Sequence, residues 1–397
     1  MIEKESTEKQ SLAPEHRGEK PAWWSFRVST GITAGVLFPL LARHRFAASP
    51  SRLPALIGTA LISLATTWPA RSQRTRFGEL VAATELPPPV FIVGHWRSGT
   101  TYLHELLATD RRFLTPTYMQ TFATDLFLRW GGLLRRLDAF VPSRRPMDDV
   151  ATGWDKPQED EFGLLSTGAR SPYEIMLFPN DREGPLPYLD IDTLAPAEQR
   201  AWREAITTVM KRVVFAAKRD QPELDPETRL LLKSPTHTAR IGALYQMFPD
   251  ARFIHVTRDP FALFPSTEHL WHRMFDTQGF QHPRFDGDLS LAEFINKSMA
   301  ELYRNFDRDV SALPKGQFAE TRYQDLVHDP EGEIHRLHGE LGLPRADAVT
   351  LGEHLHQVRD YRPNRFMLDR AAVDSIRDDW QWYFERFGYD PTGPDVS

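Results

Sequence analysis

The chain has 397 residues, enough for one large or two modest domains with a substantial core. Its 41% hydrophobic and 26% charged residues suit a globular enzyme, and a net charge of −6 leaves no basic field for nucleic acid, so an anionic ligand must be held by local cations. It has no cysteine, which excludes disulfides, thiolate catalysis and cysteine-ligated metals and fits a reducing compartment; its fourteen histidines include no H-E-x-x-H pair, so no metal site is expected.

Residues 1–20 are polar, charged and aperiodic, and read as a disordered tail. Residues 21–83 change character. Trp23, Trp24 and Phe26 precede an apolar run from Thr30 to Ala42, and a second run spans Leu53 to Ala70. Arginines flank both runs (Arg43, Arg45, Arg52, Arg71, Arg74, Arg76), and neither run cleanly meets the ~20-residue requirement of a spanning helix. Two readings stand level. One is an interfacial helical pair in one membrane leaflet; the other is an apolar hairpin packed on the main domain or on a second subunit. The proline-rich stretch around Pro87-Pro88-Pro89 is a stiff lead into the main domain, expected over 84–390.

The first strand, Phe91-Ile92-Val93, runs into Gly94-His95-Trp96-Arg97-Ser98-Gly99-Thr100-Thr101-Tyr102 and then a helix carrying Leu103, Leu106 and Leu107. Strand, glycine-bounded loop and helix start together make an anion cradle of backbone N–H groups and a positive helix end. The two glycines have the spacing of a nucleotide-triphosphate loop, but Thr100 stands where that loop has its lysine, and the cation is Arg97. This argues against ATP or GTP chemistry.

Thr115 to Arg136 reads as helical and lines something apolar. A helix is expected to start at Asp155 or Lys156, with Pro157 in its first turn, carrying the acids Glu159, Asp160 and Glu161. These acids read either as dipole complements on a wet face or as the source of a general base. Residues 171–197 are rich in Pro, Asp and Gly and read as an irregular substrate-side loop; Ala197 to Lys218 is a long helix. Arg229 to Lys233 is a buried strand ending in Lys233-Ser234-Pro235, followed by a helix from Ala239 to Phe248. A further strand, Arg252 to Thr257, ends in Arg258-Asp259-Pro260, with Ser266 beyond. Leu291 to Val310 is a helix, Phe318 to Val327 a strand, and a helix follows through Leu341. Residues 353–370, with Arg365, are basic and irregular; Ile376 to Tyr389 is an aromatic helix that packs in the core. The alternation predicts an α/β fold: a P-loop-like doubly wound parallel sheet flanked by helices, with an N-terminal helical hairpin.

Taken together, the loop resembles the 5′-phosphosulfate loop of the sulfotransferases, R-x-G-T-T here as Arg97 to Thr101. Arg258-Asp259-Pro260 with Ser266 is similar to that family's 3′-phosphate segment, Arg322-Tyr323-Gln324-Asp325-Leu326 to its R-Y-E-D-L, with glutamine in place of the acid, and Leu232-Lys233-Ser234-Pro235 to the L-K-x-P of bacterial members related to the protein-tyrosine branch. The resemblance covers about Pro87 to Gly388. It implies in-line sulfonyl transfer, without a metal, from 3′-phosphoadenosine 5′-phosphosulfate (PAPS) to an acceptor hydroxyl. Implied PAPS contacts are Arg97, Ser98, Gly99, Thr100, Thr101, Tyr102, Arg258, Ser266, Tyr323 and Arg365. Lys233 is the implied catalytic cation. The base is left among Glu159, Glu161, His237 and His95, with the acidic cluster favoured. A small-molecule or lipid hydroxyl is the expected acceptor, in the cytoplasm or at the cytoplasmic face of a membrane, with peripheral contact through 23–70 and a homo-oligomer as further expectations. The rivals are a nucleotide kinase-like phosphotransferase and a membrane-attached nucleotide-binding protein without catalysis.

Overall fold

A computed structural model describes residues 27–136, 153–181, 186–284, 290–358 and 366–394. The expected tail at 1–20, the aromatic residues 23–26 and Arg365 lie outside the described residues.

Five parallel strands form one sheet in the order β2-β3-β1-β4-β5: β1 (Pro89–Val93), β2 (Phe113–Leu114), β3 (Arg229–Lys233), β4 (Arg252–Thr257) and β5 (Phe318–Arg322). The three central strands are largely apolar, β4 being interrupted by His255, because helices cover both faces. Phe91 is in register with Leu232 on one side and Phe253 on the other, and all three face the larger core; the neighbouring Ile92, Leu231 and Ile254 face the smaller one. The larger core is closed by α8 (Pro196–Asp220), α9 (Ile241–Met247), α10 (Pro260–Gln278), α11 (Leu291–Val310), α15 (Arg370–Asp379) and α16 (Gln381–Phe387). The smaller core lies under α3 (Thr100–Leu107), α12 (Tyr323–His328), α13 (Pro330–Glu340) and α14 (Ala348–Val358). The sheet is therefore doubly wound, and strand order reverses about β1. The crevice at its C-terminal edge is flanked by β3 and β4.

Several boundaries differ from the sequence reading. The helix expected from Asp155 or Lys156 begins at Asp160 instead, as α6 (Asp160–Thr167). Pro157 bridges to Thr117 and Gln158 N–H donates to the Pro116 carbonyl, which keeps the chain extended up to Glu159. Thr115 to Arg136 holds two short helices, α4 (Tyr118–Phe122) and α5 (Phe127–Arg135), rather than one. The strand expected to reach Val327 ends at Arg322, where α12 starts. The irregular 171–197 segment contains the short α7 (Glu174–Leu177).

The N-terminal pair is helical: α1 (Ala34–Arg43) and α2 (Leu53–Ala82), the latter continuing through Pro69. Leu37, Leu40 and Leu41 of α1 join the larger core. Arg43 and His44 both bond Glu174 of α7, at 3.0 and 3.2 Å, and His44 also bonds Asp181.

Candidate active site

The loop between β1 and α3 needs its glycines. Gly94 has φ +142° and Gly99 φ +107°. A Cβ at Gly94 would lie 2.5 Å from the Val256 carbonyl oxygen, and one at Gly99 2.3 Å from the Tyr323 ring. Arg97 also holds positive φ, +71°, the left-handed region that a non-glycine residue enters at a cost. Gly94 N–H donates to Thr238 Oγ1 at 2.7 Å, fixing the start of the loop to the turn after β3. Ser98 is buried and, among the described residues, its Oγ has no hydrogen-bond partner, an unused donor inside the cradle.

Two cations line one side of this loop. Arg97 Nε donates to Ser266 Oγ at 3.0 Å, and Arg258 Nη1 donates to the Arg97 carbonyl at 2.9 Å. The Arg258 guanidinium lies over the Tyr323 ring, 4.6 Å from its centroid. Tyr323 in turn meets Tyr102 edge to face at 6.4 Å. Arg97 of the loop, Tyr102 of α3, Arg258 just after β4, Ser266 of α10 and Tyr323 of α12 thus come together in one place. Burial pushes the Tyr102 hydroxyl above its usual range, with Tyr323 and Glu105 adding to the shift.

Lys233 ends β3 on the other side. Its ammonium donates to Glu159 Oε1 at 2.7 Å and to Thr101 Oγ1 at 3.3 Å. The lysine side chain is 2% exposed and the glutamate 12%. Glu159 Oε2 accepts from the Tyr173 hydroxyl, which itself accepts from Trp96 Nε1 at 3.2 Å. Tyr173 is fully buried; burial first, and then the Glu159 charge, hold its hydroxyl well above the ordinary pKa, so it stays a donor.

The three consecutive acids at the start of α6 point to three different partners. Glu159 faces the loop. Asp160 Oδ2 pairs with His237 Nε2 at 2.6 Å, both side chains fully enclosed. Glu161 Oε2 pairs with Arg240 Nη1 at 2.7 Å and accepts from Thr236 Oγ1 at 2.8 Å, while its Oε1 accepts from Ser171 Oγ at 2.6 Å. The reading of these acids as a wet helix face does not hold for Asp160 and Glu161, which are buried. Of the candidates for the base, Glu161 and His237 are closed off by these pairs, and Glu159 is the one that bonds Lys233.

His95 is also enclosed. Its Nδ1 donates to the Trp96 carbonyl at 2.8 Å, and its ring meets Trp96 and Trp380 edge to face. Burial pulls its pKa down to about 4, only partly opposed by the bond to Trp96, so it is neutral near pH 7. Nearby His104 is held well below the ordinary value by burial and then by Lys233. Two residues of the site escaped the sequence reading. Tyr173 sits in a Pro-, Asp- and Gly-rich stretch without a motif, and Trp96 stands in the loop with no charge or spacing that singles it out.

A parallel sheet with a glycine loop at its switch point is the architecture of P-loop-like α/β proteins, and the loop, with Arg258 and Lys233 on its flanks, marks a site for an anionic ligand. Comparison with known proteins sharpens the class: the model of the sulfotransferase family matches residues 88–347, and this chain belongs to that family. It is 35% identical over 380 residues to the omega-hydroxy-beta-dihydromenaquinone-9 sulfotransferase Stf3 of Mycobacterium bovis, covering 94% of each chain. The Mycobacterium tuberculosis protein of the same name matches equally. In fold it resembles sulfotransferase STF9 of Mycobacterium avium, with TM-score 0.60, 18% identity and coverage of 87% of this chain and 88% of that one. It also resembles STF1 of M. tuberculosis, with TM-score 0.57, 17% identity and coverage of 90% and 93%. The chain is a sulfotransferase, and the kinase-like reading falls away.

Proposed function

We propose that the enzyme takes its sulfonyl group from PAPS and passes it to the hydroxyl of a lipid-like acceptor in the cytoplasm, at a membrane face. The observation that carries this is the position of Lys233, whose one ammonium touches both the glycine-loop helix at Thr101 and the carboxylate of Glu159.

The residues present suit the donor. The loop N–H groups, Ser98, Thr100 and Thr101 form a cradle for its phosphosulfate end, into which the unpaired Ser98 Oγ can donate. Arg258, Arg97 and Ser266 form a second, anion-binding pocket for the ribose 3′-phosphate. Arg97 sits with this second group, beside Ser266, rather than alone in the first. When bound, PAPS supplies an activated sulfur whose leaving group is a phosphate oxygen.

The chain's own work is positioning and charge. Glu159 takes the proton from the acceptor hydroxyl as its oxygen bonds to sulfur and the sulfur–phosphate oxygen bond breaks. Lys233 stabilises charge on the departing oxygen, exchanging its bond to Glu159 for one across the loop. Tyr173 holds the second carboxylate oxygen, so Glu159 keeps its aim when Lys233 moves away. The relative named for an omega-hydroxylated dihydromenaquinone supports a lipid hydroxyl as the acceptor class.

The test is Lys233→Ala. Turnover with PAPS should fall ~100-fold or more, while affinity for 3′-phosphoadenosine 5′-phosphate stays within about threefold of wild type. Wild-type turnover in this variant would remove Lys233 from the mechanism.

A further inference from the structure

Helix α2 is turned the wrong way out for a protein surrounded by water. Through Gln73 its buried residues are small or polar, Ala55, Thr59, Ser63, Ala70 and Gln73, with Leu56 partly packed on the larger core and Val81 buried only near the C-terminal end. Its outer stripe is large and apolar: Leu53, Ile57, Leu61, Leu64 and Trp68 stand between 44% and 68% exposed. These five recur every three or four positions, which places them on one side of the helix. Phe38 of α1 and Phe46 just beyond it are exposed as well. So long an apolar stripe on a surface marks a docking site.

The charge around the stripe says what docks. From Arg27 to Gly78 the sequence has seven arginines and no Asp or Glu, in a chain whose net charge is −6. Arg45 precedes the stripe and Arg71, Arg74 and Arg76 follow it, all four exposed. A second copy of the same face would bring mostly arginine against arginine, with Glu79 the one acid on α2 to offset them. An anionic lipid surface meets both features: it takes the apolar side chains into its boundary and attracts the flanking cations.

The helix lies on the protein rather than leaving it. By length and composition Pro50–Ala82 could cross a membrane. However, Gln73 Nε2 donates to the Thr124 carbonyl at 3.1 Å, Gln73 Oε1 accepts from Arg129 N–H at 3.2 Å, and Trp130 Nε1 donates to the Pro69 carbonyl at 3.2 Å. Thr67 Oγ1 also accepts from Ala34 N–H at 3.1 Å, tying α1 to the middle of α2. A spanning α2 would break all of these inside hydrocarbon, where no water could replace them. We propose that the outer face of α1 and α2 is a peripheral docking surface for an anionic bilayer, with the inner face of α2 kept on the enzyme.

The test uses the full chain and co-sedimentation with phosphatidylcholine vesicles, with and without phosphatidylglycerol. It needs neither donor nor acceptor, so it stands or falls apart from the transfer reaction. Wild type should sediment with the phosphatidylglycerol vesicles and lose that binding as salt rises. Leu61→Asp with Leu64→Asp should weaken binding tenfold or more. Arg71→Gln, Arg74→Gln and Arg76→Gln together should remove most of the preference for phosphatidylglycerol. Both variants should keep wild-type affinity for 3′-phosphoadenosine 5′-phosphate, which shows that they are folded. Absence of wild-type sedimentation, or sedimentation unchanged in both variants, would overturn the proposal. So would a wild-type dimer that the Leu61→Asp, Leu64→Asp variant dissociates without any change in vesicle binding.

Discussion

Replacing Glu159 by glutamine separates basicity from geometry. In the wild-type site one carboxylate oxygen meets the Lys233 ammonium at 2.7 Å and the other meets the Tyr173 hydroxyl. In Glu159→Gln the amide oxygen can still face Lys233, and the amide N–H can donate to Tyr173, whose hydroxyl is able to accept. The contacts survive while the proton acceptor is lost. A positioned general base contributes about 10²–10⁴ in rate, so kcat should drop by that factor, roughly 3 to 5 kcal/mol in barrier. Binding of 3′-phosphoadenosine 5′-phosphate should be unaltered, because the residues we propose for holding the nucleotide are Arg258, Ser266 and the loop. Calorimetry gives the affinity, and release of that nucleotide under donor saturation gives kcat. A kcat within tenfold of wild type, with unchanged affinity, would refute Glu159 as the base. Glu161→Gln is the matched control: its carboxylate serves Arg240, so thermal stability should fall more than turnover.

Other consequences can be checked in parallel. Arg258→Ala should weaken 3′-phosphoadenosine 5′-phosphate binding by about 10- to 100-fold in calorimetry, the loss expected for a charge-assisted hydrogen bond to phosphate. Glu161→Ala should destabilise the fold by about 3–5 kcal/mol in denaturant titration, because it leaves the Arg240 guanidinium buried without its ion pair. His95 is held near 4 when folded against about 6.5 when unfolded, so its contribution is present above pH 6.5 and is lost as pH falls toward 4, on the order of 3 kcal/mol. His95→Gln should flatten that part of the stability profile between pH 6.5 and 4. His44 has the opposite sign. Burial alone would lower it, but its bonds to Glu174 and Asp181 raise it, so its contribution is full below pH 6.5 and fades as pH rises through the folded value. Loss of this high-pH decline in His44→Gln, read by thermal unfolding, is the expected result.

The sheet and its loop were legible because their signals are local. Apolar runs mark β1, β3 and, broken only by His255, β4, and α11 matches its expected span of Leu291 to Val310. Gly94 and Gly99 announce a loop that only glycine can make, and Lys233 and Arg258 follow directly from strands whose ends converge on it. The choice among acids was not legible. Glu159, Asp160 and Glu161 are adjacent in sequence, and what separates them is a lysine at 233, a histidine at 237 and an arginine at 240, brought over by the sheet. The shift of α6 to Asp160 has a similar origin: Pro116 and Thr117 pair with Pro157 and Gln158, and that pairing outweighs a proline well suited to a first helical turn. Tyr173 gave no signal at all, since its role rests on Trp96 and Glu159 meeting it from two other segments. For α2, the apolar run ends at Ala70, but the helix continues to Ala82 because Phe77 and Val81 pack against Phe215 and Ala216 of α8.

The central claim is sulfonyl transfer from PAPS to a lipid hydroxyl, and radiolabelled PAPS tests it most directly. The enzyme is incubated with sulfur-labelled donor and a hydroxylated prenyl quinone in mixed micelles, and lipid extracts are resolved by chromatography. The account predicts label in a new, more polar lipid, one nucleotide released per lipid sulfated, and no transfer when the hydroxyl is absent from the acceptor. Label that stays on the donor across a panel of lipid hydroxyls would contradict it, as would equal transfer to the acceptor lacking the hydroxyl.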